Sequence, residues 1–399
     1  MSLLKIEIVD RHEDFERLDM PWRALCARVP SARFTQSYDW CHAGWQHHPA
    51  SGNSVLQCLV VWQQDQLVAL WPLMRVQCDA ITELQVIGAG LGEEYADPLI
   101  DPAIDNEQTC LLMLRALHDS ADLLKFHFLT RDSTMAGVLR RNSRFFHHFE
   151  CNAFMIDATG TTDIESHLKR YSSHFRKEVH RKMKTLSALG AVRFEMAQDD
   201  REVNEIIQWL MQHKHNWMLK RGIPRDWFVL TSSLAFMRAV SQASSADGQL
   251  GLFGLRLDGR LIAASASIID RVGVEGMFIT YDMEYSHYSP GLVTVIEQLR
   301  WAQQRGKVLD MRILEVDFKK RIATSSRIHQ SFVIGCTVTG VLKIAPKVIW
   351  DKLRYAVRKV FPASFYEWLK CKAKVLRKNG SHLLLLMLQF PDCGSFMVG

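Results

Sequence analysis

The chain has 399 residues, 48% hydrophobic and 23% charged, a balance that fits a globular protein of two domains and excludes a disordered or fibrous one. No run approaches the ~18 uninterrupted apolar residues of a membrane-spanning helix, and the amino terminus turns acidic too soon for a secretory leader. Nine scattered cysteines without a CxxC pair read as reduced thiols, not a disulfide frame or a zinc site, and the net charge of +6 is concentrated in one place: eleven Lys or Arg against two acids between Lys343 and Lys378, with the remainder slightly acidic, which argues against nucleic acid as a partner.

The first part of the chain mixes short strands and helices. LKIEIVD (4–10) alternates like a strand, and HEDFERL follows as a helix with Phe15 and Leu18 on one face. VLQCLVVW (55–62) and LVALWPLMRV (67–76) form a hairpin around QQDQ, broken at Pro72. ELQVIGAGLGEEYADPLID (83–101) is a strand and a glycine-rich loop, whose polar EEYADP (93–98) is placed to line a shared cleft. A helix over 109–121 and a strand over 123–129 close this unit. Trp40, Trp45, Trp62 and Trp71 read as core.

The second part begins near residue 153. Thr162 and Glu165 form a capping box ahead of one long helix, 163–188, with Leu168, Tyr171, Phe175, Val179 and Leu186 as its apolar stripe. A strand (191–197) and a helix (202–222) follow, the helix turning Val203, Ile206, Ile207, Leu210, Trp217 and Met218 inward. Three antiparallel strands come next, 249–257, 261–269 and 274–283, the first pair joined at Asp258-Gly259. Ser-Pro-Gly (289–291) opens a helix that Gly306 ends, and 307–313 returns as a strand. The tail starts at about Lys343. Helix 346–361 puts Ile349, Leu353, Val357 and Val360 on one face, Pro362 breaks it, and Ser364 with Glu367 restarts it. Two copies of one fold are suggested by a shared rhythm of hairpin, loop and helix.

Four stretches resemble the CelD-like branch of the GNAT acyltransferases, bacterial proteins associated with cellulose and other exopolysaccharide synthesis. They are YSSHFRKEVHRKMKTLSALG, HKHNWMLKRG, YSPGLVTVIEQLRWAQQRG and LDMRILEVDFKKR. In the last, the family shows an Asp, then Arg-Gly, an acid and Tyr-Lys; Asp310, Phe318 and Lys319 occupy that spacing. FTQSYDWCHAGW, LVALWPL and EYADPLI resemble the family's amino-terminal half, so the resemblance spans about residues 30–335. Ile313 and Leu314 stand where relatives carry Arg-Gly, and Phe318 where they carry Tyr. A group that acts on substrate in relatives is lost here if either position is catalytic.

The resemblance implies an α+β fold of tandem GNAT-like domains, with mixed, mostly antiparallel sheets flanked by helices and a basic helical tail. The expected units are 1–150, 151–342 and 343–399. It also implies acetyl-CoA or another acyl-CoA as co-substrate, without a metal. The pantetheine amides need backbone partners, and the resemblance places them on strand 276–282, at Phe278, Ile279 and Thr280. The pyrophosphate needs clustered N–H groups, which a glycine-containing helix start at Ser289, Gly291 and Leu292 offers, aided by the helix dipole. A base must deprotonate the acceptor; the candidates are His213, His174, Asp282, Glu284 and Asp310, with Asp310 paired to Lys319 or Arg312, either as a catalytic set or as a structural ion pair. Lys319 completes the catalytic set, and Arg176 and Arg181 of the basic helix, Trp217 and Asp282 face the substrate.

The leading expectation is transfer of an acyl group to an amine or hydroxyl of a sugar or polysaccharide precursor. The competing readings are a FemABX-like transferase that takes its acyl group from charged tRNA, and a degenerate scaffold of exopolysaccharide machinery. The protein is expected in the cytoplasm. The basic tail, rich in aromatics over 346–378, suits contact with the inner-membrane surface or a polysaccharide synthase complex.

Overall fold

The computed structural model describes residues 3–48, 51–89, 95–117, 119–220, 231–243, 246–313 and 316–360. In the first part the elements are β1 (Leu4–Val9), α1 (His12–Arg17), α2 (Asp19–Arg28), α3 (Tyr38–Gln46), β2 (Ser54–Leu56), β3 (Cys58–Gln63), β4 (Gln66–Trp71), β5 (Leu73–Cys78), β6 (Ile81–Val86), β7 (Leu99–Ile100), α4 (Asn106–Ala116), β8 (Leu123–Thr130), α5 (Thr134–Asn142) and β9 (Phe146–Ile156). The second part continues with α6 (Ile164–Leu168), α7 (Ser173–Ser187), β10 (Val192–Met196), α8 (Asp200–Lys220), α9 (Thr231–Gln242), β11 (Gly248–Leu257), β12 (Arg260–Asp270), β13 (Val274–Tyr281), α10 (Pro290–Gln303), β14 (Leu309–Asp310), α11 (Asp317–Ile322), β15 (Ser325–Gly335) and α12 (Val338–Val360).

Among the described residues the strands form a four-stranded sheet, β1-β3-β4-β7, and an eleven-stranded sheet, β10-β11-β12-β13-β14-β9-β15-β8-β6-β5-β2. Pro72 separates β4 from β5. Proline has no N–H to give a ladder, and at this point the chain leaves the smaller sheet for the larger one. Asp258 and Gly259, with φ of +48° and +84°, turn β11 into β12 as the left-handed pair of a tight hairpin.

Each part holds a parallel strand pair bridged by a helix: β6–α4–β8 and β13–α10–β14. The last strand of each part then crosses over. β9 pairs with β14, β15 pairs with β8, and β9 and β15 pair with each other. The expected boundary at 150/151 therefore falls inside β9, within one continuous sheet. The core is shared in the same way, with Trp22, Phe34 and Trp40 packed in one cluster with Phe236, Leu252 and Ile268.

Some expected elements differ in extent. The helix read as 163–188 is two, because the Ser172 hydroxyl accepts the Phe175 N–H (3.2 Å) and starts α7 afresh. Asp163, not Thr162, caps α6 by accepting the Ser166 N–H at 2.7 Å. The strand over 307–313 shortens to Leu309–Asp310, since the chain turns at Arg312, whose φ is +61°. α2, α3, α5 and α9 lack counterparts in the sequence reading. α12 begins at Val338, with Thr337 accepting the Gly340 N–H (3.1 Å), and carries Pro346 in its interior. Its Ile344 and Val348 are buried against Ile81, Leu123 and Val333, so the expected tail boundary at 343 lies inside a helix packed on the sheet. The restart at Ser364 and the apolar run 381–390 lie outside the described residues. No helix among those described is long and apolar enough to cross a membrane.

Candidate active site

β13 and β14 run parallel but pair only at Val274↔Leu309 and Glu275↔Asp310. Beyond that point β13 continues to Tyr281 while the other chain turns away. From Glu275 to Tyr281 the opening runs about 20 Å, at ~3.3 Å per residue. Just past the last pair, the β12–β13 register slips: Ala266 faces Phe278 and Ser267 faces Gly276, leaving Met277 as a bulge that re-aims the strand. The expected pantetheine residues Phe278, Ile279 and Thr280 lie on this opened stretch. Lys214 of α8 donates to the Ile279 carbonyl at 3.1 Å, and the Thr280 hydroxyl is buried without a hydrogen-bond partner.

At the far end of β13 stands the start of α10. Asp282 accepts the Glu284 N–H (3.0 Å) and pairs with Arg260 (2.9 Å), so it caps a short turn. Ser289 takes a left-handed conformation, with φ of +55°. A side chain at Gly291 would come within 3.2 Å of the Tyr281 ring, so glycine keeps this corner open. Pro290 has no N–H, and the Leu292 and Val293 amides both donate back to the Ser289 carbonyl (3.0 and 3.2 Å). The basic helix α7 lies alongside: Lys182 donates to the His287 carbonyl at 2.5 Å. Arg176 donates to the Lys169 and Tyr171 carbonyls (3.1 and 3.2 Å), bracing the break between α6 and α7, while Arg181 is exposed.

The apex of the opening holds a buried ionic network that draws on both parts of the chain. Glu275 and Asp310 sit side by side in the parallel register. Arg33, which precedes α3, places its guanidinium 2.6 Å from Glu275 and 3.1 Å from Asp270. Arg312 reaches Glu275 at 2.9 Å. Tyr95 donates its hydroxyl to Asp310, which also accepts the Arg312 N–H at 2.7 Å. The Arg33 guanidinium lies 5.1 Å over the Tyr95 ring. Burial opposes the charge on Arg33, but Glu275 and Asp270 outweigh it and hold the group above its usual range. Burial first, then Asp310 and Glu275, push Tyr95 well above 10, so it remains a phenol.

Beside Tyr95, with ring centroids 4.5 Å apart, lies fully buried His329. Its Nδ1 faces the Phe128 carbonyl at 3.0 Å, which makes Nδ1 the donor and leaves the lone pair on Nε2, an atom buried without a partner. Burial lowers its pKa, so the ring is a neutral base.

The other expected residues are distributed around this opening. His213 bonds to the Trp209 carbonyl (2.8 Å) and stacks on that ring at 3.8 Å. Its neighbour Lys214 reaches β13 and lies 4.6 Å over Trp217. Lys319 donates to the carbonyls of Arg312 and Ile313 (3.2 and 2.5 Å), clamping the turn that follows Asp310. Arg33, Glu275 and His329 escaped the sequence reading, while Arg312, expected to pair with Asp310, gives it a backbone N–H and turns its guanidinium to Glu275. Tyr95 lay in the loop EEYADP, and Arg33 immediately precedes FTQSYDWCHAGW, but nothing local to either segment named a partner some 200 residues away. A separate cleft of about 510 Å³, walled by Glu202, Ile269, Trp301, Arg305 and Lys307 among others, lies by the carboxyl ends of β12 and α10 and is lined by none of these groups.

This arrangement, a parallel pair that opens over a bulge and leads into a helix start, matches what the sequence comparison finds: residues 173–320 fit the acetyltransferase (GNAT) domain family. Among solved structures the chain is similar to FemX (TM-score 0.55, 10% identity, covering 79% of this chain and 95% of that one). It is also similar to L-PGS from Bacillus licheniformis (0.50, 10%, 83% and 96%) and to a conserved protein of unknown function from Bacteroides thetaiotaomicron (0.51, 8%, 83% and 99%). At these identities the likeness is one of fold. No curated protein matches the sequence. The comparisons name the GNAT domain and not the CelD-like branch.

Proposed function

We propose that this GNAT-fold protein transfers an acyl group from acyl-CoA to an amine or hydroxyl, with a sugar or polysaccharide precursor as acceptor. The observation that carries the reading is the opening between β13 and β14, which pair for two residues and then part beside the start of α10. An opened strand edge suits the amides of pantetheine. A helix start with Gly291 at a corner where a side chain would crowd the Tyr281 ring, flanked by Lys182, suits the pyrophosphate. The thioester then lies toward Glu275, Asp310 and Tyr95.

In this reading the acceptor's nucleophile attacks the thioester carbonyl, its proton passes to a carboxylate, the C–S bond breaks, and the coenzyme leaves as a thiol. Asp310 is the proposed base, held in place by the Tyr95 hydroxyl and the Arg312 N–H. Tyr95, kept as a phenol, can return a proton to the departing sulfur. Lys319 positions the turn after Asp310, and His213 is the alternative base on α8. The acceptor class rests on the resemblance to the CelD-like branch, as does a link through the basic tail to the inner membrane or a synthase complex.

A second reading, aminoacyl transfer from charged tRNA, draws on the likeness to FemX and on the exposed cations of α7. Titration calorimetry separates the two. Acetyl-CoA should bind the full-length protein, and Gly291→Asp, which adds bulk and negative charge at the helix start, should weaken binding at least tenfold without unfolding the protein. No heat with acetyl-CoA, together with salt-sensitive tRNA binding, would favour the second reading.

A further inference from the structure

α12 has two apolar faces. One, carrying Ile344 and Val348, is buried on the sheet. The other carries Val338, Leu342 and Ile349, which are 78%, 67% and 63% exposed. At 3.6 residues per turn these three fall within about 40° of one another. Exposed Pro346 and half-buried Trp350 extend the same stripe. Elsewhere among the described residues, large exposed apolar side chains occur one to an element, as expected of an ordinary surface. Exposed lysines border the stripe, Lys343 and Lys347 along one side and Lys352 along the other.

We infer that this outer face of α12 docks onto the interface of an anionic phospholipid bilayer. Charge complementarity selects the occupant. Cations flank the apolar stripe on both sides, and the sequence beyond continues basic to Lys378, whereas the rest of the chain is slightly acidic. A helix lying in the headgroup region wants this arrangement, with apolar side chains pointing down and lysine stems reaching sideways to phosphate. Trp350 at the margin of the stripe suits the same boundary. A protein partner would pair such flanks with a specific set of acids, and nothing in the stripe encodes that specificity. The inference also shifts the docking element. The described helix, starting at Val338, makes the contact, and because its inner face is fixed to β8 and β15, docking sets the orientation of the whole sheet at the membrane. It does not depend on acyl transfer, since a chain that binds no coenzyme can still dock.

Co-sedimentation of the full-length protein with vesicles tests it, using phosphatidylcholine alone and phosphatidylcholine with 30% phosphatidylglycerol as an added probe, at physiological salt. Binding is expected to the anionic vesicles only. Leu342→Ser with Ile349→Ser should weaken it at least tenfold while leaving the melting temperature unchanged, because both side chains are exposed. Lys343→Gln with Lys352→Gln should weaken it several-fold and flatten its salt dependence. Three results would overturn the inference. The first is no binding to anionic vesicles. The second is undiminished binding by the Leu342/Ile349 variant, which would move the anchor beyond residue 360. The third is a dimer in light scattering that this variant dissolves, which would make a second copy of the chain the occupant.

Discussion

Arg33→Met should cost about 3 kcal/mol of stability. The Arg33 side chain is 10% exposed, and its partners Asp270 and Glu275 are fully buried. Removing one member of a buried ion pair typically costs about 3–5 kcal/mol, because a charge remains in a poorly hydrated place. Two features put this case at the lower end. Asp270 keeps the N–H groups of Phe34, Val272 and Gly273 at 3.2, 2.9 and 3.0 Å, and Glu275 keeps Arg312 at 2.9 Å. Urea denaturation followed by tryptophan fluorescence measures the loss. The surface pair Arg141–Glu107, more than half exposed on both sides, serves as the comparison, and Arg141→Met should cost under about 1 kcal/mol. Adding Glu275→Gln to Arg33→Met should cost less than the sum of the single changes. A loss below about 1 kcal/mol for Arg33→Met would refute the claim that this arginine neutralises the apex.

Two further outcomes are expected. Burial, followed by repulsion from Lys125 and Lys347, lowers His127 to about 4. The folded value lies below the unfolded ~6.5, so the unfolded chain takes up the proton first; stability is complete above that pH and falls as the pH drops toward 4, by up to about 3 kcal/mol. His127→Phe should flatten the stability curve over that window, and an unchanged slope in acid titrations monitored by circular dichroism would show that His127 protonates freely in the fold. Asp310→Asn and Lys319→Met should each destabilise, with the double variant losing less than their sum, since Lys319 clamps the two carbonyls that follow the Asp310 turn. Strict additivity in thermal melts would mean the two side chains act independently.

Much of the local structure was legible because its causes are local. Alternation gave the strands 249–257 and 261–269, and Asp258-Gly259 gave their turn, since left-handed backbone favours those residues. Proline at the first position and glycine after the last bounded α10. The errors are equally specific. The two serines at 172–173 can restart a helix as readily as continue one, and only the Ser172–Phe175 bond decides between them. Pro346 reads as a helix start, yet here it sits mid-helix because Thr337 and the end of β15 begin α12 earlier.

The sequence by itself determined the α+β class and the helix start at Ser289–Gly291, from patterns within a few dozen residues, while the strand before that start and Asp310 came from the family resemblance. Tertiary structure alone decided what surrounds Asp310. The exchange of β9 and β15 makes one sheet of two parts, and the segment before α3 folds across it, so Arg33 and Tyr95 meet carboxylates more than 200 residues further along. A buried carboxylate is costly unless a cation or donor reaches it. The sequence announces that requirement at Asp310, which ends an expected buried strand, and the structure adds Asp270 and Glu275. Which residues meet it depends on long-range packing, and no local pattern of charge or period encodes that choice.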